Sequence, residues 1–203
     1  MKNGLLLGVL VVLLGACTKA PDIHSPESEY YRQQEAQVLL DVFDEVVAEG
    51  AVLLVPHNFE RNAEVDTIQF SLYLNDSLVV AKAIHDDLPL GVSASAVENS
   101  ILTKLNDSIP TAASIPKKLL PLIRQHNFRL LSGSASIKSL PEDEGKPNAK
   151  LTISRISFNE NFTQACFIRS YGCGRYCGSG TLLFARKQKG RWVITQRHGL
   201  WMA

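Results

Sequence analysis

The sequence predicts an α+β fold, with a long N-terminal helix packed on a mainly antiparallel sheet. Three patterns predict it. Leu39, Val42, Phe43, Val46 and Val47 recur at three- and four-residue spacing, which lines one face of a helix. Residues 66–74 alternate Ile68, Phe70, Leu72 and Leu74 with Gln69, Ser71 and Tyr73, the period of a half-buried strand. Beyond residue 150, four apolar segments follow one another with short breaks, as in an antiparallel sheet with its helices segregated to one side. A length of 203 residues suits one mid-sized domain, and 45% hydrophobic against 20% charged residues is ordinary for a chain with a packed core.

Taken in order, residues 18–25 are short and polar and carry Pro21, which suits a tether. Ser25-Pro26-Glu27 then supplies an N-cap, a proline at the first helical position and an acid in the first turn. On the helix that follows, Glu35, Asp41, Asp44, Glu45 and Glu49 fall between the apolar positions and read as a solvated face, and Gly50 is placed to end it. Residues 51–56 and 66–74 read as strands, and the turn-forming Asn75-Asp76-Ser77 predicts a hairpin between Ile68 and Ile84. Ser95-Ala96-Val97-Glu98 has the spacing of a capping box. Val97, Ile101, Leu102 and Leu105 form the apolar stripe of a second helix, which stops before Pro110. In residues 115–128, Pro121 either begins a further helix or interrupts it. Residues 141–148 are a charged loop rich in helix breakers, and strands are predicted over 151–158, 164–171, 181–187 and 191–201, the last two joined at Lys189-Gly190.

Ahead of this domain, Met1-Lys2-Asn3-Gly4 is a short, positively charged lead to ten apolar residues, 5–14. A helix needs about 20 apolar residues to cross the hydrocarbon core, so this run has the length of a signal-peptide segment rather than a membrane span. Leu14-Gly15-Ala16-Cys17, directly after it, resembles the lipobox of bacterial lipoproteins. The resemblance implies removal of residues 1–16 as signal peptide, a diacylglycerol on the Cys17 thiol, a lipidated cysteine and tether over 17–25, and one globular domain over 26–203. It makes the membrane a partner through that lipid, since each buried methylene contributes about 0.8 kcal/mol. Thr18 stands where the inner-membrane retention signal has Asp, and Lys19-Ala20-Pro21 lacks the acidic run of some surface-exported lipoproteins. The expected location is therefore the outer membrane, facing the periplasm; the alternative is an ordinary secretory signal with Cys17 unmodified. Lys2 is the only charged residue removed, so the mature chain is electrically balanced. That balance gives no broad field for duplex nucleic acid or for an anionic membrane surface.

The segment Tyr171-Gly172-Cys173-Gly174-Arg175-Tyr176-Cys177-Gly178-Ser179-Gly180 holds four of the 13 glycines and two of the four cysteines. Glycine at this density permits positive φ and close backbone approach, as at a hairpin tip, a bulge or an anion-binding nest. The lysine of a P-loop and the spacing of a dinucleotide fingerprint are both missing. Cys173 and Cys177 are separated by three residues, where redox and zinc motifs favour two, and no histidine follows before His198. With Cys17 lipidated, an oxidising location allows one disulfide among Cys166, Cys173 and Cys177, and Cys173–Cys177 is the expected pair. Free structural thiols, or a metal-binding or catalytic thiol, are the alternatives.

The residues Phe158-Asn159, Tyr171, Cys173-Gly174, Cys177-Gly178-Ser179-Gly180, Gly190-Arg191-Trp192 and Leu200-Trp201 resemble the C-terminal part of small lipoproteins of Bacteroidetes-type bacteria. The resemblance covers about the last quarter of the chain and implies kinship without an activity. In such a bacterium, Asp66-Thr67-Ile68, Asp76-Ser77-Leu78 and Asp107-Ser108-Ile109 look like O-glycosylation sites, with Thr67, Ser77 and Ser108 as acceptors. Turn and cap chemistry accounts for the same pairs.

His24, His57, His85, His126 and His198 are scattered, and no pair has His-Glu-x-x-His spacing, so neither a metal nor a cofactor is expected. His85-Asp86-Asp87 sets a histidine beside carboxylates, and a polar loop explains it equally well. A Cys173 or Cys177 nucleophile with His198 as its base would be a hydrolase-like arrangement. Arg175, Tyr176, Trp192 and Trp201 are candidate binding residues for a protein or glycan, with core sealing the competing role of the tryptophans. The last quarter is basic, with no acid after Glu160, and would meet either an anionic envelope glycolipid or the acidic first helix. The architectural analogy is a curved sheet wrapped on a helix, as in cystatin-like or nuclear-transport-factor-like folds. The expected function is a non-catalytic envelope module that binds a partner or acts structurally; the alternative is a thiol-dependent envelope enzyme using Cys173 or Cys177.

Overall fold

The computed structural model describes residues 22–53, 71–84, 95–107, 109–132, 148–174 and 177–202. Among them are three α-helices and a mixed, mostly antiparallel sheet that is not closed into a barrel, an α+β architecture. α1 (Glu29–Leu53) begins after Ser28, whose Oγ accepts the Tyr31 N–H at 3.1 Å. Ser25, expected in that role, opens the preceding turn instead, its carbonyl accepting the Ser28 N–H at 2.9 Å. Gly50 does not end the helix, and residues 51–53, expected in a strand, form its last turn.

α2 (Ala96–Asp107) carries the predicted capping box: Ser95 Oγ accepts the Glu98 N–H at 3.3 Å and Glu98 Oε2 accepts the Ser95 N–H at 2.8 Å. Ile101, Leu102 and Leu105 are buried as their spacing predicts. Val97 is 44% exposed, because Glu98 takes the inward position and its Oε1 accepts a hydrogen bond from Gln196 Nε2 at 2.8 Å. α3 (Leu120–Gln125) follows a 3-10 turn at Lys117–Leu119 and has Pro121 in its first turn. Of the two roles open to it, Pro121 thus takes the helix start, where a missing N–H leaves no bond unmade.

The strands are β1 (Ser71–Asn75), β2 (Ser77–Leu78), β3 (Ala113–Ser114), β4 (Arg129–Leu131), β5 (Asn148–Ile153), β6 (Ser157–Phe158), β7 (Gln164–Gly174), β8 (Cys177–Gln188) and β9 (Arg191–Met202). The main sheet has the order β4-β1-β5-β7-β8-β9, with β6 also paired to β7. β1 is parallel to both β4 and β5, and the other pairings are antiparallel. The hairpin expected after β1 does not form. Asn75, Asp76 and Ser77 all keep negative φ, whereas two-residue hairpin turns need positive values. The backbone of Asp76 is also committed elsewhere: its N–H donates to the Leu131 carbonyl and its own carbonyl accepts the Ile115 N–H, both at 2.8 Å. β2 accordingly pairs with β3 in a separate two-stranded ladder. Lys189 and Gly190 do have positive φ, 50° and 84°, and close the predicted β8–β9 hairpin.

Every residue from 179 to 185 in β8 is buried, so both faces of the sheet are covered there. On one face, Arg169 Nη1 and the Tyr171 hydroxyl donate to the α1 carbonyls of Val46 and Val47, at 2.8 and 3.1 Å. On the other, Gln196, opposite Phe184, reaches Glu98 of α2. The two helices therefore sandwich the sheet rather than share one side. This arrangement places Tyr31, Val38, Leu39, Val42, Phe43 and Val46 of α1 in the core.

Ser95→Ala removes the Oγ acceptor of the capping box and should lower stability by about 1 kcal/mol. Urea denaturation of the variant should show a lower midpoint at unchanged slope; an unshifted midpoint would mean that the cap contributes nothing.

Candidate functional site

The β7–β8 hairpin ends in Cys173 and Cys177, which are bonded to each other with their Cα atoms 5.1 Å apart. Both half-buried sulfurs pack against the edge of the core. Gly172 faces Gly178 across the ladder, and a bulge then shifts the register so that Gly174 faces Cys177. Closing so small a ring contributes about 2 kcal/mol by loop entropy. Arg175 and Tyr176, between the cysteines, lie outside the described residues, as do Cys17, Thr67, Ser108 and His85.

The glycines on β8 have a role other than the positive φ their density allows. Among the described glycines only Gly190 has a positive φ. Gly178 and Gly180 instead make room for Trp201, which pairs with Gly180 across the ladder. A Cβ on Gly178 would stand 2.8 Å from the Tyr171 carbonyl oxygen and 3.0 Å from Trp201 Cζ3. One on Gly180 would stand 2.7 Å from Trp201 Cδ1. The half-buried indole thus lies on bare backbone beside the disulfide. Trp192 differs: it is 1% exposed, its ring is 5.8 Å from that of Phe158, and its backbone N–H donates to Asp41 Oδ2 at 2.8 Å. Core sealing describes Trp192, and an aromatic surface describes Trp201.

The arrangement of a thiol with His198 is not assembled. β9 does lie beside β8, but His198 sits opposite Leu182, five residues from Cys177, or about 16 Å of strand. Its Nε2 meets Gln196 Oε1 at 3.2 Å and its ring meets Phe184 edge-on. Cys166 is free but fully buried, and burial, with the Glu98 charge adding to it, pushes its thiol well above the ordinary range. His24 stacks on Phe162, and His126 Nε2 pairs with Asp44 Oδ1 at 2.8 Å. No group of three or more metal-ligating side chains occurs among the described residues. Ser77 is half-exposed in β2, opposite Ser114.

One buried charged cluster joins residues far apart in the sequence. Glu35 and Arg155 are 1% and 0% exposed, and Arg155 Nε donates to Glu35 Oε1 at 2.8 Å. The other guanidinium nitrogens donate to backbone, Nη1 to the Thr111 carbonyl at 2.8 Å and Nη2 to that of Pro26 at 2.7 Å. Glu35 Oε1 also accepts the Ile156 N–H at 2.9 Å, and the Tyr31 hydroxyl donates to the Ile156 carbonyl at 2.7 Å. Burial pushes the Glu35 carboxyl up, while Arg155 and the Ile156 N–H pull the other way. Burial also raises the Tyr31 hydroxyl, and the Glu35 charge adds to that. Glu35 lies four residues before Leu39 and so stands on the apolar stripe. Arg155 shares its parity with Leu151 and Ile153. A charge in each of these buried registers was the available signal.

Beside this cluster is an open cleft of about 900 Å³, whose lining includes Glu29 and Arg32 of α1, Lys117 and Lys118 of the 3-10 turn, and Lys187 and Gly190 near the β8–β9 turn. Elsewhere the basic C-terminal quarter meets α1: Arg197 Nη2 is 2.8 Å from Glu45 Oε2, and Arg191 Nε is 4.0 Å from Asp41 Oδ1. No protein-family profile, curated protein or solved structure matches the chain.

Gly180→Ala should force the indole of Trp201 off the sheet and cost about 1–3 kcal/mol, the usual penalty of overpacking. In a Trp201→Ala background the same change should cost far less. Equal costs in both backgrounds, read by denaturant unfolding, would refute the platform.

Proposed function

We propose that this protein is a cell-envelope lipoprotein, held in the outer membrane through a lipid on Cys17 and facing the periplasm, whose domain is a non-catalytic binding or structural module. The anchor rests on the charged lead, the ten apolar residues and the lipobox Leu14-Gly15-Ala16-Cys17. The observation that carries the non-catalytic half is the state of the domain's thiols. Cys173 and Cys177 are bonded to each other, and Cys166 is buried with its thiol pushed up, so none is poised as the thiolate that a nucleophile requires. A disulfide also suits an oxidising compartment.

The binding surface in this reading is the disulfide end of the β7–β8 hairpin, where Trp201 lies on its glycine floor and Arg175 and Tyr176 fall between the cysteines. Its partner is an envelope protein or glycan, with no cofactor and no nucleic acid. The sheet is read as curving around α1 in the manner of cystatin-like or nuclear-transport-factor-like folds; the two register shifts between β8 and β9 support this, since bulges bend and twist a strand.

The test uses the chain expressed with its leader in a Gram-negative host. Mass spectrometry of the N-terminal peptide should find Cys17 as the first residue, carrying diacylglycerol, and Cys17→Ser should leave no lipid-modified product. An unmodified Cys17 in the wild type would end the lipoprotein reading. Alkylation without reductant should modify Cys166 only after unfolding. Rapid alkylation of Cys173 or Cys177 at neutral pH would instead restore the thiol-dependent enzyme.

A further inference from the structure

We infer that the pole of the domain holding the start of α1, the 3-10 turn at Lys117–Leu119 and the β8–β9 turn rests on the anionic phospholipid surface of the membrane. The inference depends on lipidation of Cys17. Contacts place these segments at one end of the molecule. The Phe162 ring stacks on His24 at 5.3 Å and meets Tyr30 edge-on at 5.1 Å. The neighbouring Thr163 carbonyl accepts the Lys187 N–H at 2.8 Å, which brings in the β8–β9 turn. Arg155 ties Pro26 to Thr111, and the lysines of the 3-10 turn share a cleft with Glu29, Arg32 and Lys187.

Chain length makes the membrane the occupant. Four residues, 18–21, separate Cys17 from Asp22. Five Cα–Cα steps of at most about 3.6 Å keep Asp22 within about 18 Å of the lipidated residue. That reach is comparable to about two Debye lengths at physiological ionic strength. The short tether also gives the pole a high effective concentration at the headgroups, so weak contacts suffice.

The chemistry of the pole fits that surface. Lys117, Lys118, Lys187 and Lys189 are all exposed there. Acids are present too: Glu27 is paired with Arg32 at 2.6 Å and accepts from the Thr111 hydroxyl, whereas Glu29, which accepts from the neutral Gln33 amide at 3.0 Å, keeps its charge against the four lysines. Asp22 accepts the His24 N–H at 3.0 Å, and Glu160 is the remaining acid of the 159–163 turn. Two large apolar side chains, Ile23 and Tyr30, are 48% and 42% exposed at the same pole, suited to the interface between headgroup and acyl chain. The near-zero net charge of the chain therefore hides a lysine patch next to the anchor, where an anionic surface attracts each lysine.

The mature lipoprotein is reconstituted into vesicles of phosphatidylcholine alone or with phosphatidylglycerol, and lysine reactivity toward a membrane-impermeant acylating reagent is read by mass spectrometry. Lys117, Lys118, Lys187 and Lys189 should react about five-fold more slowly on the anionic vesicles, with the difference lost at high salt. Lys150, on β5 toward the disulfide end of β7, should react equally on both. In the variant Lys117→Gln/Lys118→Gln/Lys187→Gln, whose changes are all at exposed positions, Lys189 should lose its protection while the protein still floats with the vesicles. Flotation with equal reactivity on the two vesicle types would overturn the seating and leave the anchor intact. Failure to float with either would overturn both.

Discussion

A carboxylate and a guanidinium taken out of water together hold the first helix to the sheet. An isolated buried charge costs several kcal/mol, so Glu35 and Arg155 are tolerated only because each satisfies the other and the backbone satisfies the rest. Between them they engage Pro26, Thr111 and Ile156, which lie in the N-terminal turn, the segment before β3 and the break between β5 and β6. The break itself is hydrogen-bonded: Ser154 Oγ accepts the Ile168 N–H at 2.8 Å and donates to the Arg155 carbonyl at 2.7 Å. Sliding α1 by one turn would strand both charges. Register, more than added stability, is the role assigned to the pair, since a buried ion pair gains little over well-packed apolar residues of the same volume.

With that register set, other polar groups of α1 meet partners on the last strands. Asp41 accepts the backbone N–H of Trp192, Glu45 pairs with Arg197, and the Val46 and Val47 carbonyls receive Arg169 and Tyr171. Asp41 and Glu45 thereby lie against β9, whose outer edge would otherwise be an open ladder. The same geometry separates two ends. β7 begins near the start of α1 and reaches the disulfide at Cys173 nine residues later, about 30 Å of strand. Trp201 and the disulfide hairpin therefore stand far from the N-terminal turn at Pro26.

Much of this was legible locally. The capping box at Ser95 and the α1 stripe depend on neighbours a few residues apart, and so do the β8–β9 turn and the Cys173–Cys177 pair. What escaped was non-local. The parallel pairing of β1 with β4 and β5 joins segments more than 50 residues apart, and the Asn75-Asp76-Ser77 turn chemistry pointed to a hairpin instead. Acids on a helix usually face water, so Glu35 reads as solvated although its spacing puts it among Tyr31, Val38 and Leu39. The glycines at 178 and 180 suggest conformational freedom, because nothing in their own segment reveals that Trp201 lies over them.

The most direct measurement is equilibrium unfolding of Glu35→Gln, Arg155→Met and the double variant Glu35→Met/Arg155→Met. If the buried pair sets the helix register, each single change strands a charge or polar group and should cost about 3–5 kcal/mol. The double change removes both charges and should cost clearly less than the two single losses combined. Single variants within about 0.5 kcal/mol of the parent, the range of ordinary surface substitutions, would contradict the account.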